Sequence, residues 1–121
     1  MYDLLITLTA HERDSNNVTI ALTMGVKARE KGHAAALMLL SDAVALGQRD
    51  YADRIDIGAP FEPAGKLLAT FLEQGGKLLV CKSCMVHNGV DEASLIAGSE
   101  VITADDVVDI LMASNRTLQL N

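Results

Sequence analysis

Tryptophan is absent from this chain, and the only other large rings are two tyrosines and two phenylalanines. The core therefore has to be aliphatic, built from Leu, Ile, Val, Ala and Met. Proline occurs twice and glycine nine times, with no biased tract, which excludes a fibrous or disordered chain. Positive charge is also scarce: 10 Lys and Arg face 16 Asp and Glu, a net charge of −6. A polyanion is held by clustered basic side chains that release counterions, and no such cluster exists here. Nucleic acid is not an expected partner. No stretch nears the roughly 20 apolar residues of a membrane span, so a membrane is not expected either. The start, Met1-Tyr2-Asp3-Leu4-Leu5-Ile6-Thr7-Leu8, lacks the basic n-region and cleavage site of a signal peptide. A cytoplasmic location is expected. Cysteine is reduced to two residues, Cys81 and Cys84. In a reducing compartment such a pair reads as metal-binding or redox-active rather than as a structural staple.

What is present is aliphatic and periodic. Half of the 121 residues are hydrophobic, enough for one core and one domain over residues 1–121. Leu4 to Thr9 reads as a buried strand, followed by the polar loop His11 to Asn17. Val18, Ala21, Leu22, Gly25 and Val26 recur at helical spacing, and Gly32 suits the helix stop. Ala34 to Leu40 makes a second strand, and Ser41-Asp42 can cap a short helix carrying Val44, Ala45 and Leu46. Residues 47–63 read as loop with a short strand or turn. Leu67, Leu68, Phe71 and Leu72 mark a helix over Ala64 to Gln74, ended by Gly75-Gly76. Lys77 to Cys81 is a third strand, followed by a helix start. Ala93 to Ile96 reads as one helical turn and Glu100 to Ile102 as a short strand. Thr103 caps a helix with Val107, Ile110, Leu111 and Ser114 on one face, and Thr117 to Leu120 closes as a strand. Alternating strands and helices, with strands apolar on both faces, predict a three-layer α/β/α architecture around a parallel sheet of about five strands. Reactive groups in such sheets gather at the carboxyl ends of the strands, which singles out the segment after Val80.

Cys81-Lys82-Ser83-Cys84 sits at that strand end. Free N–H groups, the positive end of a helix dipole and the Lys82 charge would all favour a thiolate there, below the usual thiol pKa of about 8.5. Thiol chemistry is one reading of the pair. Two buried cysteines acting as small hydrophobes is another. A third is zinc, since Cys81, Cys84 and His87 form C-x2-C-x2-H. A structural zinc needs four ligands, and there is no second CxxC or paired histidine; His11 and His33 follow in other segments. No metal and no cofactor are expected. GxGxxG, a Walker loop and a G-x-S-x-G elbow are all missing. Asp91-Glu92 and Asp105-Asp106 fit helix starts, where acidic residues complement the dipole.

The segment Val80-Cys81-Lys82-Ser83-Cys84-Met85-Val86-His87-Asn88-Gly89-Val90 resembles the cysteine motif of the DsrE/DsrF/TusD sulfur-relay family, most of all its YchN-like branch. Thr9 to Ala28 resembles the family's loop and first helix, and Lys31-Gly32-His33 its turn before an aliphatic strand. Ser41-Asp42-Ala43-Val44, Glu100-Val101-Ile102 and Thr117 to Leu120 resemble further segments, so the likeness spans nearly the whole chain. The resemblance implies a DsrE-like α/β/α domain that assembles into a trimer or hexamer. It implies a sulfurtransferase-type carrier in which a strand-end cysteine takes sulfane sulfur as a persulfide and hands it to a partner protein. Cys81 then holds the place of the sulfur-carrying cysteine. Cys84 matches the second cysteine of the YchN-like members and would assist it. Lys82 and His87 are the auxiliary candidates for stabilising a thiolate. No residue identifies the sulfur donor or acceptor. A non-catalytic oligomeric scaffold, or a thiol-redox protein without sulfane sulfur, stays open beside the carrier.

Overall fold

The computed structural model describes residues 1–121. Its strands are β1 (Leu4–Leu8), β2 (Ala35–Leu39), β3 (Lys77–Cys81), β4 (Glu100–Ile102) and β5 (Arg116–Leu120). Its helices are α1 (Ser15–Glu30), α2 (Ala64–Glu73), α3 (Lys82–Asn88) and α4 (Ala104–Ala113). Short 3-10 turns at Glu12–Asp14, Ser41–Gly47, Tyr51–Arg54 and Glu92–Ser94 complete the chain. All strand pairs are parallel, in the order β4-β3-β2-β1-β5. The α/β architecture read from the sequence is the one observed.

The topology follows from where each helix finds apolar cover. Stepping from β1 through β2 to β3 in one direction, with parallel crossovers of one hand, puts α1 and α2 on the same face. There Val18, Ala21, Leu22 and Val26 of α1 and Leu67, Leu68 and Phe71 of α2 meet Ile6, Leu8, Leu37, Leu39, Leu78 and Val80. Reversal between β4 and β5 sends α4 to the other face. Its Ile110 closes a smaller cluster with Leu5, Ala36, Met38, Leu79 and Ile102. The strands alternate their side chains between these two faces, yet both faces are apolar, as a sheet covered on each side requires.

Local boundaries shift for identifiable reasons. α1 begins at Ser15, earlier than the apolar periodicity shows, because Asp14 caps it and accepts from the Asn17 N–H at 3.4 Å. Ser15, Asn16 and Asn17 thus occupy the polar first turn rather than a loop. The segment after β2 is a 3-10 turn with Val44 and Leu46 fully covered, and no α-helix forms there. Gln48 in the long connection pairs with Leu95, which ties that connection to the segment before β4. α3 stops at Gly89, whose φ of 70° is the left-handed value that glycine adopts freely.

Candidate functional site

Parallel register brings the carboxyl ends of the strands together. Leu8 pairs with Leu39, Leu39 with Val80, and Cys81 with Ile102. One step beyond Leu39, the chain leaves β2 through Leu40 and Ser41 alongside Cys81, and the Ser41–Gly47 turn packs on α3. The cysteine pair is therefore flanked by a turn that lies 40 residues upstream.

Cys81 is the N-cap of α3, still extended at ψ 119°, and is buried against the larger core cluster. Cys84 stands at the third helical position. N-cap and third-residue side chains face each other at a helix start, the geometry that a capping box uses. Here it places the Cys84 side chain beside the N-cap residue Cys81 at the start of α3. Both are free cysteines; Cys81 is buried and Cys84 is half-buried. Burial pushes the Cys84 thiol above its ordinary pKa, and the neighbouring Cys81 adds to the rise, while the Ser41 backbone N–H opposes it. This reverses the expectation that position and charge lower the pKa of that thiol. The reason is local: desolvation by the core outweighs one N–H donor. Lys82, expected to supply positive charge, instead turns out to solvent and meets Glu92 at 3.9 Å.

His87 lies exposed on the last turn of α3. The C-x2-C-x2-H set does not close on itself, and no group of three or more His, Cys, Asp and Glu side chains gathers as a metal site would require. His11 is engaged elsewhere, accepting from the Arg13 N–H at 3.5 Å and lying edge-on to Tyr51 with ring centroids 6.1 Å apart. His33 is exposed at the start of β2, at the opposite end of the strands.

Two residues of this site escape sequence reasoning. Ser41 has φ 54°, a left-handed conformation that a non-glycine residue adopts at a cost. Asn88 donates its side-chain amide to the Cys84 carbonyl at 2.8 Å and to the Ser41 carbonyl at 3.4 Å. Nothing in Leu40-Ser41-Asp42 announces positive φ, because the usual signal is glycine. Asn88 sits four residues after Cys84, so a bond to that carbonyl is legible from spacing; its reach to Ser41 is not.

The largest cavity, about 370 Å³, lies elsewhere, lined by Leu68, Ala69, Leu72, Ile96 and Ala97 with Arg49 and Asp53 among its polar residues. Neither thiol lines it.

Residues 3–120 match the model of the DsrE/DsrF-like family. The chain belongs to the DsrE/DsrF-like family. The ychN protein from E. coli shares the fold of this family member with a TM-score of 0.80 at 21% identity, covering 99% of this chain and 100% of that one. A protein of unknown function from Methanobacterium thermoautotrophicum gives 0.67 at 15% identity, over 96% of this chain and 99% of its own. A conserved protein of unknown function from Bacteroides thetaiotaomicron gives 0.67 at 18% identity, over 98% and 95%. No curated protein matches the sequence. Family membership is consistent with a sulfur-relay role, and the solved neighbours establish a common fold.

Proposed function

We propose that this DsrE/DsrF-like protein is a sulfur carrier of the YchN-like kind, working in the cytoplasm as a trimer or hexamer. The carrying observation is the placement of Cys81 at the carboxyl end of β3, as the N-cap of α3, with Cys84 in the first turn of that helix. Cys81 is the acceptor in this reading, and Cys84 assists. The Cys81 thiolate attacks the outer sulfur of a donor persulfide; a new S–S bond forms, the donor S–S bond breaks, and the donor leaves as a thiolate. Cys81 then holds a persulfide, which an acceptor thiolate takes up by the same exchange. No oxidant is consumed, because sulfane sulfur moves between thiols at constant oxidation level. Burial around Cys81 supports the reading, since it shields a persulfide from water and stray thiols. Lys82 and His87 are auxiliary at most, being exposed on the outer side of α3.

Loading with a sulfane donor followed by intact-mass measurement tests the assignment. The wild type gains about one sulfur, reversible by reductant, and Cys81→Ser gains none. If Cys81→Ser loads at the wild-type rate while Cys84→Ser does not, the two roles are exchanged. If both variants load normally, neither cysteine carries sulfur and the proposal fails.

A further inference from the structure

Away from the thiols, the cavity of about 370 Å³ is bounded by residues 48–53, by α2 and by the segment before β4. Its volume is in the range that holds a small molecule. Leu68, Leu72 and Ile96 give it apolar walls, and Arg49, Asp50 and Asp53 are its charged members. Those charges are unequally spent. Arg49 donates its Nη1 to the carbonyls of Ala93 and Leu95 at 2.9 and 3.2 Å, which pins it to the segment before β4. Asp50 opens the Tyr51–Arg54 turn but gives it no side-chain cap. The cations nearest in sequence to Asp53 and to the first turn of α2 are engaged elsewhere. Arg54 pairs with Glu12 at 3.4 Å, and Lys66 with Glu62 at 3.1 Å. One cation thus accompanies two carboxylates, which leaves a net negative charge beside apolar walls.

Gly65 fixes where one of those carboxylates lies. It is the second residue of α2, and glycine is the poorest helix former after proline. Its φ is not positive, so the backbone does not call for glycine there. Asp53 does: a Cβ on residue 65 would take the place of the Asp53 Oδ1. The missing methyl lets that carboxylate rest against the first turn of α2, at the cavity both residues line. We propose that this cavity binds a small organic cation, an amine or guanidine on a short apolar body. The body packs on Leu68, Leu72 and Ile96, and the positive group meets Asp53 and Asp50. An anion would be repelled by the surplus carboxylate, and a neutral molecule would gain the apolar contacts alone. Neither thiol lines the cavity, so the site stands or falls apart from the sulfur-carrier reading.

Three probes of similar shape separate charge from fit: phenethylamine, the neutral phenethyl alcohol and the anionic hydrocinnamate. Each is titrated at millimolar concentration into the full chain while backbone amide resonances are followed. Phenethylamine should move the amides of Gly65, Ala69 and Ala97 and leave those of Met85 and Asn88 in place. It should bind about twofold to fivefold tighter than the alcohol, the worth of a partly exposed charge pair, and hydrocinnamate should bind weakest. Asp53→Asn keeps the shape and removes the charge, whereas Gly65→Ala displaces the carboxylate. Each should bring the affinity for the amine close to that for the alcohol. Asp53 is exposed and alanine is the better helix former, so both variants should fold, which their amide spectra check. No shift at the cavity, equal affinity for amine and alcohol, tighter binding of hydrocinnamate, or an unchanged amine affinity in Asp53→Asn overturns the proposal.

Discussion

At the scale of single residues, the thiols are shaped by two opposed influences. The start of α3 brings Cys81 and Cys84 together, and burial against the core resists ionisation of the Cys84 thiol. For Cys84 the raised pKa carries a sign for stability. Below the unfolded thiol value both states are protonated and the contribution is complete; as pH climbs past it the unfolded chain ionises first, and the contribution is lost toward the folded value. Wild type should therefore lose stability relative to Cys84→Ser once pH rises above about 8.5, the ordinary thiol range. Urea unfolding of both proteins from pH 7 to pH 10 checks this. A gap that stays constant with pH would show that the thiol is not desolvated.

At the scale of elements, helix ends decide where the chain turns. α4 opens with a complete capping box: Thr103 accepts from the Asp106 N–H, and the Asp106 carboxylate accepts from the Thr103 N–H at 2.9 Å. Hydrogen bonding to Thr103 holds the Asp106 carboxyl below its usual pKa. The linkage runs opposite to that of Cys84. Its contribution is present above the unfolded carboxylate value of about 3.9 and disappears as pH falls through the lower folded value. Asp106→Asn should then be less stable than wild type at neutral pH, with the difference narrowing in acid. Paired thermal melts at pH 7 and pH 3 read it out. Much of this was legible beforehand, since Thr103-Ala104-Asp105-Asp106 before an apolar period announces a helix start. The left-handed turn at Ser41 was not, because its conformation is imposed by neighbours rather than by its own side chain.

At the scale of the whole molecule, the two faces of the sheet are unequally covered. α1, α2 and the 3-10 turns blanket one face, whereas α4 is the helix that closes the other. Ile110 is the residue of α4 that joins the buried cluster there, so Ile110→Ala should cost about 2–5 kcal/mol. Chemical denaturation measures that loss, and a cost well under 1 kcal/mol would mean that α4 repacks. The outer side of the same helix leaves Val108 and Met112 exposed at 57% and 82%. Apolar surface of this kind is covered in assemblies. Light scattering at micromolar concentration should find a trimer or hexamer, and Met112→Lys should weaken it if α4 lies in the contact. A monomer at that concentration counts against assembly altogether.

Sequence alone determined the order and type of the main elements, because each is written in a local period. Short continuous aliphatic runs such as Leu4 to Leu8 and Ala35 to Leu39, bounded by polar or turn residues, read as covered strands, and Gly89 and Gly75 stop helices through their own backbone freedom. It also determined that Cys81 ends a strand and that Cys84 follows within one turn of helix. Tertiary structure decided what those thiols feel. The register of β2 against β3 carries Ser41 to their side, and the core beneath them raises the cost of charge at Cys84. Desolvation is a sum over neighbours remote in the chain. No local pattern encodes it.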